Sequence, residues 1–169
     1  MKKEILINLQ NQEFKGNVLD IGLKNYGVVY NIYKYKNKNF DIEYIEGDKR
    51  CNIIEQNYYD TCVMFLSFGS ISLKIRKIEI IKNIYKYLKD DGILYIWDID
   101  KGYGKIFEGK IKILLPNRKI KEINVKNLNI LKNISKKNTI KLLENYFDII
   151  NLKCLDDIYY IKAQKKGDT

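Results

Sequence analysis

Residues 59–97 hold the strongest constraint on what this chain can become. Tyr59-Asp60-Thr61-Cys62-Val63-Met64-Phe65-Leu66 contains an unbroken apolar run, Cys62 to Leu66. It is strand-length and apolar on both faces, which suits the middle of a sheet. The run stops at Ser67 and Gly69. From Ser72 to Asp91, Ile75, Ile78, Ile81, Ile84, Tyr85 and Leu88 recur every three or four residues with lysines mostly between them. The spacing predicts a helix, with Gly92 in the C-terminal stop position. Ile93-Leu94-Tyr95-Ile96-Trp97 then reads as a second strand, leaving through Asp98-Ile99-Asp100. A strand, helix and strand within about 35 residues cross over right-handed and place the two strands parallel. The core is therefore α/β.

The other segments are arranged around that unit. Ile5, Leu6, Leu9 and Phe14 make a weak helical stripe, expected as a short lead-in before Lys15-Gly16-Asn17. Val18 to Ile21 predicts a buried strand, and Val28, Val29, Ile32 and Tyr33 share one face of a short helix. Phe40 to Ile45 alternates as a strand and ends at Glu46-Gly47-Asp48. After Asp100, Lys110 to Leu115 and Ile120 to Val125 alternate around Pro116-Asn117-Arg118-Lys119, which predicts a β-hairpin; Leu128 to Leu131 is a candidate extension. Asn138 or Thr139 is placed to cap a helix bearing Ile140 and Leu143. Ile149 to Leu155 and Ile158 to Ala163 are joined only by Asp156-Asp157, short enough to require an antiparallel turn.

Composition excludes several kinds of chemistry. The chain of 169 residues contains no histidine, which removes any histidine base and disfavours catalytic zinc or histidine-bound iron. Cys51, Cys62 and Cys154 are widely spaced and odd in number, so neither a disulfide framework nor a metal site is expected, and Cys62 reads as core. With 46% hydrophobic residues the chain suits one domain over 1–169. It has no apolar run of membrane-spanning length and no signal-peptide core at its start, which predicts a cytoplasmic protein without membrane contact. The formal charge of +10 comes from lysines scattered along the chain. General surface charge is the favoured reading over a nucleic-acid footprint.

Chemistry is expected where strands end. In Val18-Leu19-Asp20-Ile21-Gly22-Leu23-Lys24-Asn25-Tyr26-Gly27, an apolar strand carries an acid, and glycines lead into a helix. Such turns let a nucleotide-like ligand approach the backbone near unpaired helix N–H groups. Four separated segments share an order and spacing. They are Val18-Leu19-Asp20-Ile21-Gly22; Ile45-Glu46-Gly47-Asp48 followed by Tyr59 to Phe65; Tyr87-Leu88-Lys89-Asp90-Asp91-Gly92 into Ile96; and Leu142 to Ile150 with Tyr159 to Ala163. Together, over about residues 14–165, the chain resembles the class I S-adenosylmethionine-dependent methyltransferases, the small-molecule type in particular.

The resemblance implies a Rossmann-like doubly wound, mostly parallel sheet with an antiparallel C-terminal strand pair and an inserted hairpin at about 106–131. It implies S-adenosyl-L-methionine as cofactor, a small-molecule acceptor and no metal. Asp20 and Gly22 would lie near the methionine part, with Tyr26 and Gly27 completing the loop, and Phe65 and Leu66 flanking the adenine. Acceptor-side candidates are Ser67, Phe68, Asp98, Asp100 and Tyr103. Asp98 and Asp100 read equally well as polar caps at a strand exit; Tyr26 and Tyr103 read first as packing over the cleft rim. Two departures stand out. Leu23-Lys24-Asn25-Tyr26 is bulkier and one residue longer than the family's glycine loop, and the region between Gly27 and Asp48 is contracted by a strand–helix unit. The strand ending at Ile45 is then the family's second, making Glu46 the ribose carboxylate, or its third, making Asp48 the adenine partner. Alternatives to a small-molecule enzyme are a non-catalytic binding protein of the same fold and an RNA methyltransferase.

Overall fold

A computed structural model describes residues 3–36, 39, 41–46 and 54–167. Along the chain run β1 (Lys3–Asn8), β2 (Val18–Gly22), α1 (Val28–Lys36), β3 (Ile42–Glu46), β4 (Tyr59–Phe65), α2 (Lys74–Tyr87) and β5 (Leu88–Ile99). Then come β6 (Phe107–Leu114), β7 (Ile120–Asn127), α3 (Lys136–Leu143), β8 (Phe147–Leu155) and β9 (Ile158–Lys165). A six-stranded sheet has the order β3-β2-β4-β5-β9-β8. Its first four strands are parallel, and β9 runs antiparallel to both β5 and β8. This is the mostly parallel α/β sheet, with a closing antiparallel pair, that the β4-α2-β5 pattern predicts.

Both faces of this sheet are covered, which is why β2 and β4 are buried along nearly their whole length. On one face Ile81 and Ile84 of α2 and Leu143 of α3 pack on Leu19, Cys62, Met64, Leu94 and Ile96. The opposite face carries α1, through the expected Val28, Val29, Ile32 and Tyr33, and a second sheet of order β1-β6-β7. Ile5, Ile7, Ile111, Ile113 and Ile123 of that sheet meet Phe65, Tyr95 and Trp97 of the large one. Phe14 stands edge-on to Trp97 at 6.3 Å, Tyr95 stacks at 5.9 Å and Tyr160 tilts at 4.8 Å.

Five expectations are corrected. Residues 5–14 do not form a helix: β1 is a strand, paired in parallel with β6. Ile5, Ile7 and Leu9 are buried while Leu6 is 51% exposed, a period of two and not of 3.6. Helix α2 ends at Tyr87, before Gly92. Leu88 already pairs with Tyr59, and Lys89–Gly92 bulge out before Ile93 resumes opposite Thr61, with Asp91 left-handed at φ 61°. A side chain at Gly92 would sit 2.8 Å from the Lys89 carbonyl, so crowding explains this glycine. The buried stripe of α2 also begins on Lys77, not on the exposed Ile75. Helix α3 is N-capped at Ser135, not at Asn138 or Thr139. Finally, Leu128 to Leu131 does not extend the hairpin and is exposed.

A buried lysine organises the connections. Lys101, 2% exposed just after β5, donates to the carbonyls of Lys105 (2.9 Å), Asn129 (2.8 Å) and Lys132 (2.9 Å). One ammonium thus ties the loop after β5 to the segment between β7 and α3, satisfying its three donors. Replacing it with methionine keeps the stem and strands the carbonyls. Lys101→Met is expected to cost about 3 kcal/mol in urea-induced unfolding; a loss under about 1 kcal/mol would show that water replaces the clamp at little cost.

Candidate functional site

The parallel strands β2, β3, β4 and β5 bring their carboxyl ends to one edge of the large sheet, where ligands bind in open α/β folds. Strand β2 leaves at Gly22. A side chain there would come within 3.1 Å of Ser67 Oγ, 3.2 Å of the Lys24 carbonyl and 3.4 Å of the Tyr44 ring. Tyr44 also donates its hydroxyl to the Gly22 carbonyl at 3.1 Å. The exit is tight, and a larger residue would have to displace these neighbours by a few tenths of an ångström. In the loop that follows, Asn25 Oδ1 accepts the Gly27 N–H at 2.8 Å and Asn31 Nδ2 donates to the Gly27 carbonyl at 2.6 Å. Gly27 is left-handed at φ +66°. The asparagine side chain closes the turn in an Asx arrangement, so the loop is a built turn leading into α1.

Strand β4 leaves through Leu66, whose φ of 51° is unusual for a bulky residue and costs roughly 1–3 kcal/mol. The neighbouring contacts hold it there. The Leu66 N–H donates to the Trp97 carbonyl at 2.8 Å, and Ser67 Oγ donates to the Phe65 carbonyl at 2.8 Å. On the next strand Asp98 is fully buried. Its carboxylate accepts the Gly69 N–H at 2.6 Å and the Ile99 N–H at 2.8 Å. Burial pushes its pKa up, against the opposing pull of those two N–H groups and of Lys77 and Lys132.

A cleft of about 240 Å³ opens at this edge. Leu23, Tyr26, Leu66 and Asp98 line it from the large sheet, and residues 124–127 of β7 form the facing wall. Within that wall the buried Asn127 Oδ1 has no hydrogen-bond partner among the described residues. Tyr26 is half-buried; burial raises its hydroxyl pKa first and the charge of Asp98 second. Lys121, also from β7, brings its ammonium over Gly27: a side chain on that glycine would lie 3.5 Å from it. The hairpin therefore covers the glycine loop.

The structure brings Tyr26, Leu66 and Asp98 together around the cleft, with Gly22 and Ser67 packed against each other beneath it. Other candidates lie elsewhere. Phe65 is buried between the sheets and Phe68 lies in the core on the α2 side. Asp100 accepts the Lys136 N–H at 2.9 Å and so caps α3. Tyr103 is exposed and lines a different cavity between α2 and α3. Glu46 ends β3 directly opposite Gly22, and Asp48 lies outside the described residues. Sequence reasoning missed the β7 wall. The signal available was the polar end of the hairpin, Asn124 to Asn127, at a register opposite Phe107 to Lys110.

Asp20 stands apart electrostatically. It is 8% exposed, and burial pushes its carboxyl up to about 7. Among the described residues it has no hydrogen bond or ion pair. A carboxyl whose folded pKa is raised adds stability that is complete below the unfolded value near 3.8 and lost as pH rises through 7. The loss is on the order of 4 kcal/mol. Asp20→Asn should therefore melt increasingly above the wild type between pH 4 and pH 8; an equal difference at both ends of that range contradicts a buried, unpaired Asp20.

No family model matches the chain, and no curated protein matches it by sequence. Solved structures do match its fold. An S-adenosylmethionine-dependent methyltransferase from Methanosarcina mazei superposes with TM-score 0.60 at 14% identity, over 95% of this chain and 97% of that one. The 1,6-didemethyltoxoflavin-N1-methyltransferase of Burkholderia thailandensis, solved with 1,6-didemethyltoxoflavin and S-adenosylhomocysteine, gives 0.60 at 10% identity, over 90% and 72%. The cyclase SpnF gives 0.58 at 10% identity, over 94% and 77%. The chain has the class I methyltransferase fold.

Proposed function

We propose that this protein is an S-adenosylmethionine-dependent methyltransferase acting on a small molecule, with residues 1–169 as one methyltransferase-like domain. One observation carries the reading: a cleft at the carboxyl ends of β2, β4 and β5, in a fold that superposes on methyltransferase structures, whose wall holds an unpaired acceptor. The polar groups suit the cofactor. Asp20 is a buried carboxyl without a partner, matched to the cationic methionine part. The direct pairing of β3 with β2 supports Glu46, over Asp48, as the carboxylate for the ribose diol. Asn127 Oδ1 awaits a donor such as the adenine amino group, and Tyr26 and Leu66 offer apolar surface to the ring.

S-adenosylmethionine supplies a methyl group on a sulfonium, which an acceptor takes by in-line displacement. The chain's own contribution is then alignment and exclusion of water. Asp98 already accepts two N–H bonds, so it holds Gly69 at the cleft edge; it is a positioning residue and not a free base. The absence of histidine is compatible with this chemistry, because an aligned displacement does not require a strong base.

The cleft also favours a second reading. At 240 Å³ it is smaller than the roughly 300 Å³ at which ligand pockets begin, and Ser67 and Tyr44 crowd Gly22. A non-catalytic binding protein of this fold would look the same, and the cyclase neighbour illustrates that the fold does not dictate methyl transfer. Calorimetry with S-adenosylhomocysteine separates the two. Binding near pH 7 should release protons, seen as a heat that depends on the buffer, because a cation beside Asp20 lowers its raised pKa. Tyr26→Ala should weaken binding, because it removes apolar surface offered to the adenine ring. If the wild type does not bind at roughly millimolar ligand, the enzyme reading falls and the binding-protein reading stands.

A further inference from the structure

A second cavity, of about 340 Å³, lies beside the cleft between α2, α3 and the loop after β5. Its lining includes Lys74, Lys77, Lys132 and Lys141 together with Ser72 and Asn138, and no carboxylate. Two segments form a shared wall. Gly69, Ser70 and Ile134 face the cleft, while Ser72, Lys132 and Asn133 face the basic cavity.

Lys77 is the unusual member. It occupies the first position of the buried stripe Lys77-Ile81-Ile84-Leu88, where an apolar residue would complete the pattern, and it is only 8% exposed. Its ammonium makes no hydrogen bond and no ion pair among the described residues; its one close partner is the face of Phe68 at 5.0 Å. Burial lowers its pKa, the charge of Asp98 raises it and that of Lys132 lowers it. Lys132 contributes one donor to the Ser70 carbonyl at 2.8 Å. The N-terminus of α2, which borders the cavity, has neither a side-chain cap nor an acid in its first turn. Unpaired charge, unspent donors and helix-end potential of one sign converge on one cavity. A buried ammonium without acceptors is costly unless an anion completes it.

We propose that this cavity seats a phosphate monoester carried by the small-molecule acceptor, with Lys77 as its central contact. Four ammonium groups match a dianion better than a single carboxylate. A pocket of about 340 Å³ is of small-molecule size, whereas a nucleic-acid backbone is tracked along an extended groove. The shared wall then directs the rest of the molecule toward the strand-end cleft. The phosphate site stands on its own geometry; only the identity of its bearer as methyl acceptor rests on the methyltransferase reading.

The test uses the full chain and inorganic phosphate, titrated at constant ionic strength against chloride, and followed by melting temperature and calorimetry. Phosphate should raise the melting temperature of the wild type beyond the chloride control. Lys77→Met should weaken phosphate binding about tenfold or more, yet melt no lower than the wild type without phosphate, because it removes an unpaired buried charge. Lys82→Met, exposed on α2 and outside both cavities, should bind phosphate as the wild type does. A response equal to that of chloride, or one retained in Lys77→Met, overturns the site. Displacement of phosphate by a single-stranded oligouridylate at lower phosphate-equivalent concentration overturns the small-molecule assignment. S-adenosylhomocysteine binding is measured separately. Its failure beside an intact, Lys77-dependent phosphate response removes the methyltransferase reading and leaves the phosphate site in place.

Discussion

The docking of the small sheet onto the aromatic face of the large one is the contact on which the rest of the molecule depends. Tyr95 and Trp97 stack along β5, and Phe14, Phe65 and Tyr160 close around them. Ile5 and Ile7 of β1 and Ile111, Ile113 and Ile123 of the hairpin complete this layer. Large rings bury much area and favour edge and offset contacts, so they resist sliding more than an aliphatic surface does. The rigid seat has a functional consequence. It holds β7 over the carboxyl ends of β2 and β4, where the hairpin becomes the outer wall of the cleft and places Lys121 above the glycine turn.

Around that edge the polar groups divide into two kinds. Some are fully engaged: Lys101 on three carbonyls, Asp98 on two N–H groups, Asp100 on the first turn of α3, and Lys165 on the Leu88 carbonyl. These hold loops and caps, and their burial is offset by hydrogen bonds. Others lack a partner among the described residues: Asp20, Asn127 Oδ1 and Lys77. Asn127 lines the strand-end cleft, Lys77 lines the basic cavity beside it, and Asp20 lies within β2. Folded proteins seldom leave such groups unpaired, and each is a place where an outside molecule can supply the missing partner.

Much of the fold was legible because its signals are local. The unbroken run Cys62 to Leu66, the spacing of Val28, Val29, Ile32 and Tyr33, and the two-residue link at Asp156-Asp157 each specify an element without reference to the rest of the chain. The errors fell where a local signal was ambiguous or where tertiary contact decided. Ile5, Leu6, Ile7 and Leu9 fit two periods, and the pairing of β1 with β6 selected one. Gly92 looked like a helix stop, but crowding against the Lys89 carbonyl accounts for it. In the candidate site, Gly22, Leu66 and Asp98 were named from strand ends and Tyr26 from the glycine loop. The β7 wall and the basic cavity were not, because their residues come from segments far apart in sequence.

The sequence by itself determined the α/β class, the parallel pairing of β4 with β5, the antiparallel close and the strand-end position of the acids. Those follow from periodicity, connection length and the few ways a buried backbone can satisfy its hydrogen bonds. Only the tertiary structure decided which side chains were already engaged. Asp98 and Asp100 became structural acceptors, Phe68 became core, and Lys77 became a buried cation without an acceptor, though a scattered lysine at any of these positions looks the same in the chain. The physical reason is that pairing and desolvation depend on what lies within a few ångströms in space, and in an α/β sheet those neighbours are supplied by strands and loops remote in sequence.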